Sequence, residues 1–232
     1  ASDIEGAEFL IRTAAIHDDN PEIAAARAQG IPVFERAEAW GAIMRQYENA
    51  VCIAGTHGKT TTTSMTTHIF MAAQADPTVM IGGTLPMLHS GYRVGRGDTI
   101  ILESCEYCNS FLHFFPTVAV VLNVEADHLD FFKDLEDIKR SFRRFAELVP
   151  AGGHVIVNAD NAGARDAAQG LDAFTFGLEP GAECTAVNLR EDKGRPVFDI
   201  HVHGTFYAHA ELRVYGRHNV SNALAAASAA YV

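Results

Sequence analysis

Val51-Cys52-Ile53-Ala54-Gly55-Thr56-His57-Gly58-Lys59-Thr60-Thr61-Thr62-Thr63 is the stretch on which the fold turns. Its first four residues form a continuous apolar run, the pattern of a strand buried on both faces of a parallel sheet. A glycine-containing loop follows, and Lys59 opens a segment expected to be helical as far as about Ala73. Strand, glycine loop, Gly-Lys-Thr and helix occur in the order that lets backbone N–H groups and a helix N-terminus cradle phosphate oxygens. In that arrangement Lys59 reaches the β- and γ-phosphates, and the Thr60 hydroxyl is placed to ligate Mg²⁺. Gly55 and Gly58 have two residues between them where the common pattern has four. The competing reading is therefore a tight strand-to-helix turn carrying a surface lysine.

Outward from this loop the chain alternates strand and helix, as a parallel sheet requires. Downstream, strands are expected at residues 78–81, 99–103, 117–123, 154–158, 174–176, 184–189, 197–203 and 205–214, the last two flanking Gly204 as a hairpin. Leu135 to Leu148 reads as an amphipathic helix with Leu135, Ile138, Phe142, Phe145 and Leu148 on one face. Residues 160–169 and 218–232 are expected to be helical. Upstream, residues 9–16 read as a short buried strand. Asn20-Pro21 then caps a helix over 22–29 that Gly30 stops. A strand at 31–34 and a helix at 37–47 follow. The expected class is α/β, a mostly parallel sheet with flanking helices. The expected division is 1–49 and 50–232. The first strand arrives with no glycine-rich turn before it, and the last helix runs to the final residue; both suggest a truncated chain.

The composition narrows the function classes. With 48% hydrophobic residues among 232, the chain can bury a core and is not disordered. No apolar run approaches the roughly 20 residues of a membrane span, so no membrane insertion is expected. Ala1 to Gly6 has neither the basic region nor the apolar core of a signal peptide. A net charge of −11 argues against a nucleic-acid surface, whose affinity rests on Lys and Arg. Four cysteines make no disulfide scaffold. A reduced, cytoplasmic protein is the expectation.

Three further segments carry chemistry. Glu103 ends the strand Thr99-Ile100-Ile101-Leu102, at the edge where an α/β sheet binds ligands. Asn123-Val124-Glu125-Ala126-Asp127-His128-Leu129-Asp130 follows the next strand. Gly216-Arg217-His218-Asn219-Val220-Ser221-Asn222 opens the last helix. There Asn219 and Asn222 share one face, with amides whose donor and acceptor suit an adenine edge. Each has a plainer reading: a solvated carboxylate, a loop histidine bonded to Asp127 or Asp130, an Asn cap. Cys105-x-x-Cys108 could be redox-active or half of a zinc site completed by His113 or His128. Cys52, in a strand, reads as inert, and Met65, Met71, Phe111, Phe114 and Phe115 read as core.

Gly55-Thr56-His57-Gly58-Lys59-Thr60-Thr61-Thr62-Thr63 resembles the ATP loop of the Mur ligases of peptidoglycan synthesis. Asn123 to His128 resembles the family's Asn-x-Glu-x-Asp-His segment, and His218 to Ala227 its His-Asn-x-x-Asn-x-x-Ala-Ala motif. The resemblance implies ATP bound by Gly55, Thr56, His57, Gly58, Lys59, Thr60, Thr61, Asn219 and Asn222. It also implies Mg²⁺ held by Thr60, Glu103 and His128, and a catalytic set of Lys59, Glu103 and His128. His57 after Thr56 is similar to the branch that joins L-alanine to the lactyl carboxylate of UDP-N-acetylmuramate. Several relatives carry a carbamylated lysine about fifteen residues after the metal histidine; that branch lacks it, as does Ser141-Phe142-Arg143-Arg144-Phe145 here. Cys105 and Cys108 stand where many members have aspartates. Residues 1–49 are similar to the rear of the family's UDP-binding domain and 50–232 to most of its central ATPase domain. The amino-acid-binding C-terminal domain is expected to lie outside the sequence, leaving this stretch inactive alone. Murein-tripeptide or folylpolyglutamate ligases, and a non-catalytic nucleotide-binding module, are the alternatives.

Overall fold

In a computed structural model describing residues 4–232, the apolar run at Val51 becomes the middle of a ten-stranded sheet. Strand β3 (Asn49–Ala54) lies between β6 (Thr99–Glu103) and β7 (Val118–Val121), parallel to both. Beyond β6 come β4 (Thr78–Leu85) and the edge strand β5 (Ser90–Arg93). Beyond β7 come β8 (His154–Asn158), β9 (Ala173–Gly177), β10 (Cys184–Asp192), β11 (Arg195–Val202) and β12 (Thr205–Glu211). Seven neighbouring strands, β4 to β10 in the spatial order, run parallel; β5, β11 and β12 are antiparallel additions at the two edges.

Parallel strands need covered faces, and β3 shows how both are supplied. Cys52 and Ala54 point into one core with Phe111, Ile138, Phe142 and Phe145. Val51 and Ile53 point into the other with Ile101, Val120, Val220 and Leu224. The first face is covered by α2 (Arg36–Met44), α4 (Leu135–Ala146) and α5 (Ala162–Ala167). The second is covered by α3 (Lys59–Ala72) and α6 (His218–Tyr231), which pack side by side. Alanines at 223, 225, 226, 227 and 229 are buried in α6, facing the threonine-rich α3. Three of the buried threonines of α3 satisfy themselves within the helix: Thr63 donates to Lys59 O at 2.8 Å, Thr66 to Thr62 O at 2.9 Å and Thr67 to Thr63 O at 2.7 Å.

The N-terminal residues form a separate two-stranded parallel sheet, β1 (Leu10–Arg12) with β2 (Val33–Glu35), and the helix α1 (Pro21–Ala28). Asn20 caps α1 as expected, accepting from Glu22 N at 2.9 Å, with Pro21 in its first turn. The expectation of a buried strand over 9–16 is corrected. Only three residues pair, and Phe9 and Ile11 are 53% and 51% exposed. The chain turns after Arg12, where Ile16 N donates to Thr13 O and the Arg12 guanidinium closes onto Asp18.

Other boundaries moved for local reasons. Asn161 caps α5, so the helix starts at Ala162 and not at Asp160, whose carboxylate instead accepts from Leu178 N at 2.6 Å. The strand expected at 78–81 continues to Leu85 and turns into β5, whose Ser-Gly-Tyr-Arg sequence has no apolar alternation to reveal it. Between β6 and β7 a 3-10 segment, Tyr107–His113, carries Cys108 and Asn109 in the left-handed region. Phe115 is 42% exposed with the Arg45 guanidinium over its ring, not core, whereas Phe111 and Phe114 are buried.

Candidate active site

Because β3, β6 and β7 are parallel, their C-terminal ends, Ala54, Glu103 and Val121, lie on one edge of the sheet. From there α3 leads the chain toward β4, on one side of β3, while β7 takes it to the other. Open α/β sheets bind ligands at such a switch. The phosphate loop starts from the central strand. Gly58 precedes α3 with φ of +86°, a conformation that L side chains rarely adopt. A Cβ there would lie 2.7 Å from Asn222 Oδ1. No side chain caps the start of α3, so its first N–H groups stay available to an anion.

The segment after β7 clamps this loop. Asn123 Oδ1 accepts from His57 N at 2.7 Å while its amide donates to His57 O at 3.0 Å. Thr56 N donates to Asn123 O at 3.0 Å, and Glu125 N donates to Thr56 Oγ1 at 3.0 Å. The exposed His57 ring stands 4.0 Å from Glu125.

Lys59 is turned inward. Its Nζ donates to Gly55 O at 2.5 Å and Thr56 O at 3.3 Å, and lies 2.9 and 3.1 Å from the two oxygens of Glu106. The Glu106 side chain is 2% exposed. His128, with φ of +51°, faces the same carboxylate, Nε2 to Oε1 at 3.8 Å, and packs on the Tyr107 ring. The Tyr107 hydroxyl donates to Asp130 at 3.0 Å, and that carboxylate pushes the phenol's pKa up.

Thr60 Oγ1 donates to Glu103 Oε1 at 3.0 Å, and Gly82 N donates to Glu103 Oε2 at 2.7 Å. A side chain at Gly82 would collide with this carboxylate, at 2.6 Å from Oε1. A threonine hydroxyl and a carboxylate in contact, beside a phosphate loop, make the hard oxygen pair that Mg²⁺ takes together with substrate phosphates and waters. Thr60 and Glu103 thus fit the implied ion, whereas the contacts of the His128 ring are with Glu106, Asp127 and Tyr107.

The expected site residues Gly55 to Thr61, Glu103 and His128 therefore gather at one edge of the sheet. Asn219 and Asn222 do share a face, but both are buried and joined: Asn222 donates to Asn219 at 3.0 Å, and Asn219 donates to Tyr215 O at 2.8 Å. Asn222 reaches the loop at Gly58. Sequence reasoning passed over Glu106 and Gly82, and named Asn123 only within its segment, with no role of its own. Glu106 was legible only as a carboxylate three residues after Glu103; its burial depends on how the 3-10 segment folds back.

Cys105 is exposed and Cys108 half-buried, and no disulfide joins them. Among the described residues no three His, Cys, Asp or Glu side chains are arranged to hold a metal, so a cysteine-based zinc site lacks its remaining ligands. Cys52 is buried, and desolvation pushes its thiol pKa up to about 12, as an inert core cysteine requires.

Residues 53–230 match the family model of the Mur ligase middle domain, and residues 1–48 that of the Mur ligase family catalytic domain. The chain belongs to the Mur ligase family. It is 42% identical, over its whole length, to 51% of the UDP-N-acetylmuramate–L-alanine ligase of Caldanaerobacter subterraneus. It is 46% identical over 95% of its length to 49% of the ligase of the same name from Agathobacter rectalis. The crystal structure of a UDP-N-acetylmuramate–alanine ligase from Thermotoga maritima superposes with a TM-score of 0.82 at 28% identity, over 95% of this chain and 50% of that one. A UDP-N-acetylmuramate:L-alanyl-γ-D-glutamyl-meso-diaminopimelate ligase from Neisseria gives 0.85 at 25%, over 99% of this chain and 76% of that one. The chain thus spans about half the length of the curated ligases it matches. The expected α/β class, a mostly parallel sheet with flanking helices, is the Mur ligase fold. No helix among the described residues is long and apolar enough to cross a membrane.

Proposed function

We propose that this Mur ligase chain carries the ATP-binding half of a cytoplasmic UDP-N-acetylmuramate–L-alanine ligase. Residues 50–232 are its central ATP-binding domain, and residues 1–49 are part of the domain that receives the UDP-sugar. The observation that carries the reading is the convergence at one sheet edge of Lys59, on its glycine loop, with the Thr60–Glu103 pair. Identities of 42% and 46% to ligases of that name support the choice of substrates. The chemistry is acyl activation. The γ-phosphoryl group of ATP passes to an oxygen of the lactyl carboxylate, and ADP leaves. The amine of L-alanine then attacks the acyl carbon and expels inorganic phosphate, forming the amide.

Phosphoryl transfer of this kind asks the protein for positioning and charge neutralisation rather than covalent chemistry. Gly55 and Gly58 bring backbone N–H groups to the phosphates, and the start of α3 faces them with its unpaired donors. Lys59 supplies the cation that meets the β- and γ-phosphates. Thr60, Glu103 and His128 are the residues that would hold Mg²⁺, which when bound neutralises the phosphate charge. Asn123 fixes the loop from below through His57, and Asn222 supports it at Gly58. Asn219, through Asn222, belongs to the adenine-side wall of the site.

Two experiments test the reading. Glu103→Ala should raise the Mg²⁺ concentration needed for nucleotide binding, and an unchanged Mg²⁺ titration would count against the assignment. The acceptor is tested by comparing UDP-N-acetylmuramate with a folate and a murein tripeptide as ligands; tighter binding of a folate would overturn it. Ligation of a murein peptide is the second reading, favoured by the likeness to the Neisseria enzyme.

A further inference from the structure

Glu106 is the group in this site for which the proposed chemistry has no use. Its side chain is 2% exposed, and it immediately precedes the 3-10 segment between β6 and β7. A carboxylate taken out of water is tolerated only when a charge or several donors answer it. Among the described residues the hydrogen bonds to the Glu106 carboxylate come from one cation, Lys59, whose Nζ lies 2.9 and 3.1 Å from its two oxygens. The His128 ring stands farther off, at 3.8 Å. Lys59 spends its other contacts on Gly55 O and Thr56 O, carbonyls of the phosphate loop itself. An ammonium has three donors, and here all of them are turned toward the protein. Lys59 can therefore serve a phosphate only by giving up part of this set.

We propose that Glu106 is a positioning residue that draws Lys59 inward against the loop carbonyls, so that a triphosphate must compete with a buried carboxylate for the ammonium. The ion pair thereby sets how tightly the loop takes nucleotide. It neutralises the lysine charge within the protein, at a cost in affinity for a triphosphate. It also links the loop to the segment after β7, because the carboxylate that Lys59 leaves still faces His128. This inference rests on the phosphate-loop reading of residues 55–61.

The test is calorimetric titration of Mg²⁺-ATP into the wild-type chain, Glu106→Gln, Glu106→Asp and Lys59→Ala, with thermal unfolding of each as a folding control. Glutamine keeps the shape and one acceptor but not the charge. It should bind about tenfold tighter than wild type, at the low end of couplings measured between close charges. Aspartate keeps the charge but ends one methylene short of Lys59, and should fall between the two. A purely structural role predicts the opposite sign, weaker binding in step with lost stability. Unchanged or weaker binding by Glu106→Gln, with Lys59→Ala inactive in binding, overturns the role of Glu106 alone. If the glutamine variant does not fold, the aspartate variant decides in the same way. A wild-type chain that binds no nucleotide, or binds as Lys59→Ala does, overturns the phosphate-loop reading and this inference with it.

Discussion

The two threonines Thr62 and Thr66 are both fully buried in α3, and they differ in one hydroxyl. Thr66 donates to Thr62 O, whereas Thr62 Oγ1 has no hydrogen-bond partner among the described residues. A buried polar group left unpaired costs roughly 1–3 kcal/mol of desolvation, so removing it is neutral or stabilising. Thr62→Val should hold or raise the thermal midpoint, and Thr66→Val should lower it; the reverse order in parallel melts would refute the account. The cysteines give a second residue-scale expectation. Cys52 has no exposure and a thiol pKa near 12, while Cys105 is exposed. Iodoacetamide should label Cys105 in the folded chain and leave Cys52 untouched until denaturant is added, as peptide mass spectrometry would report. At this scale the sequence was readable where a residue's role follows from its neighbours along the chain. Lys59, Thr60 and Glu103 stand at strand ends or on the loop, and the structure brings them together. Glu106 and Asn123 act through partners 47 and 66 residues away; the segment that holds Asn123 stands out locally, but neither partner does.

Among elements, α4 shows the strongest correspondence between pattern and packing. Ile138, Phe142 and Phe145 are buried as its apolar spacing predicted, and Asp134 caps it by accepting from Asp137 N at 2.8 Å. Phe145 stacks on Phe111 with ring centroids 4.7 Å apart, and Phe142 meets Phe111 edge-on at 5.3 Å. Phe142→Ala should cost about 3–5 kcal/mol, the usual price of deleting a buried aromatic ring, measured by denaturant unfolding. A loss below 1 kcal/mol would mean that this core does not hold the 3-10 segment in place. The β11–β12 hairpin was also foreseen, and it carries an exposed pair. The Asp199 carboxylate, 2.7 Å from His209 Nδ1, raises the His209 pKa, and the histidine in turn lowers that of Asp199. The histidine's contribution is complete below its unfolded pKa and lost as pH rises through its raised folded value. The aspartate's is present above its unfolded pKa and lost as pH falls through its lowered folded value. Asp199→Asn should therefore move the His209 midpoint down toward the ordinary histidine value in an NMR titration; an unmoved midpoint would dismiss the contact. Residues 9–16 failed as an element because an apolar run predicts burial only where something covers it. The two-stranded β1–β2 sheet leaves Ile11 in solvent among the described residues.

At the scale of the whole molecule, the alternation of apolar strands with helices was enough to give an α/β sheet. The spatial order was not. Nothing in the sequence says that β6 inserts between β3 and β4, or that β7 lies on the opposite side of β3. That order is what makes Ala54, Glu103 and Val121 neighbours at one edge and turns separate motifs into one site. The antiparallel strands at the edges lie outside this arrangement, and β5 went unread because its residues have no periodicity. The account of the molecule stands on one claim, that the loop from Gly55 to Thr61 holds a triphosphate through Lys59. It is tested most directly by titrating Mg²⁺-ATP into the chain and into Lys59→Ala by calorimetry, with matched unfolding curves for the two. Saturable binding by the wild-type chain that vanishes in the variant is the result predicted. Equal affinity in both would contradict it and return the loop to a tight turn between a strand and a helix.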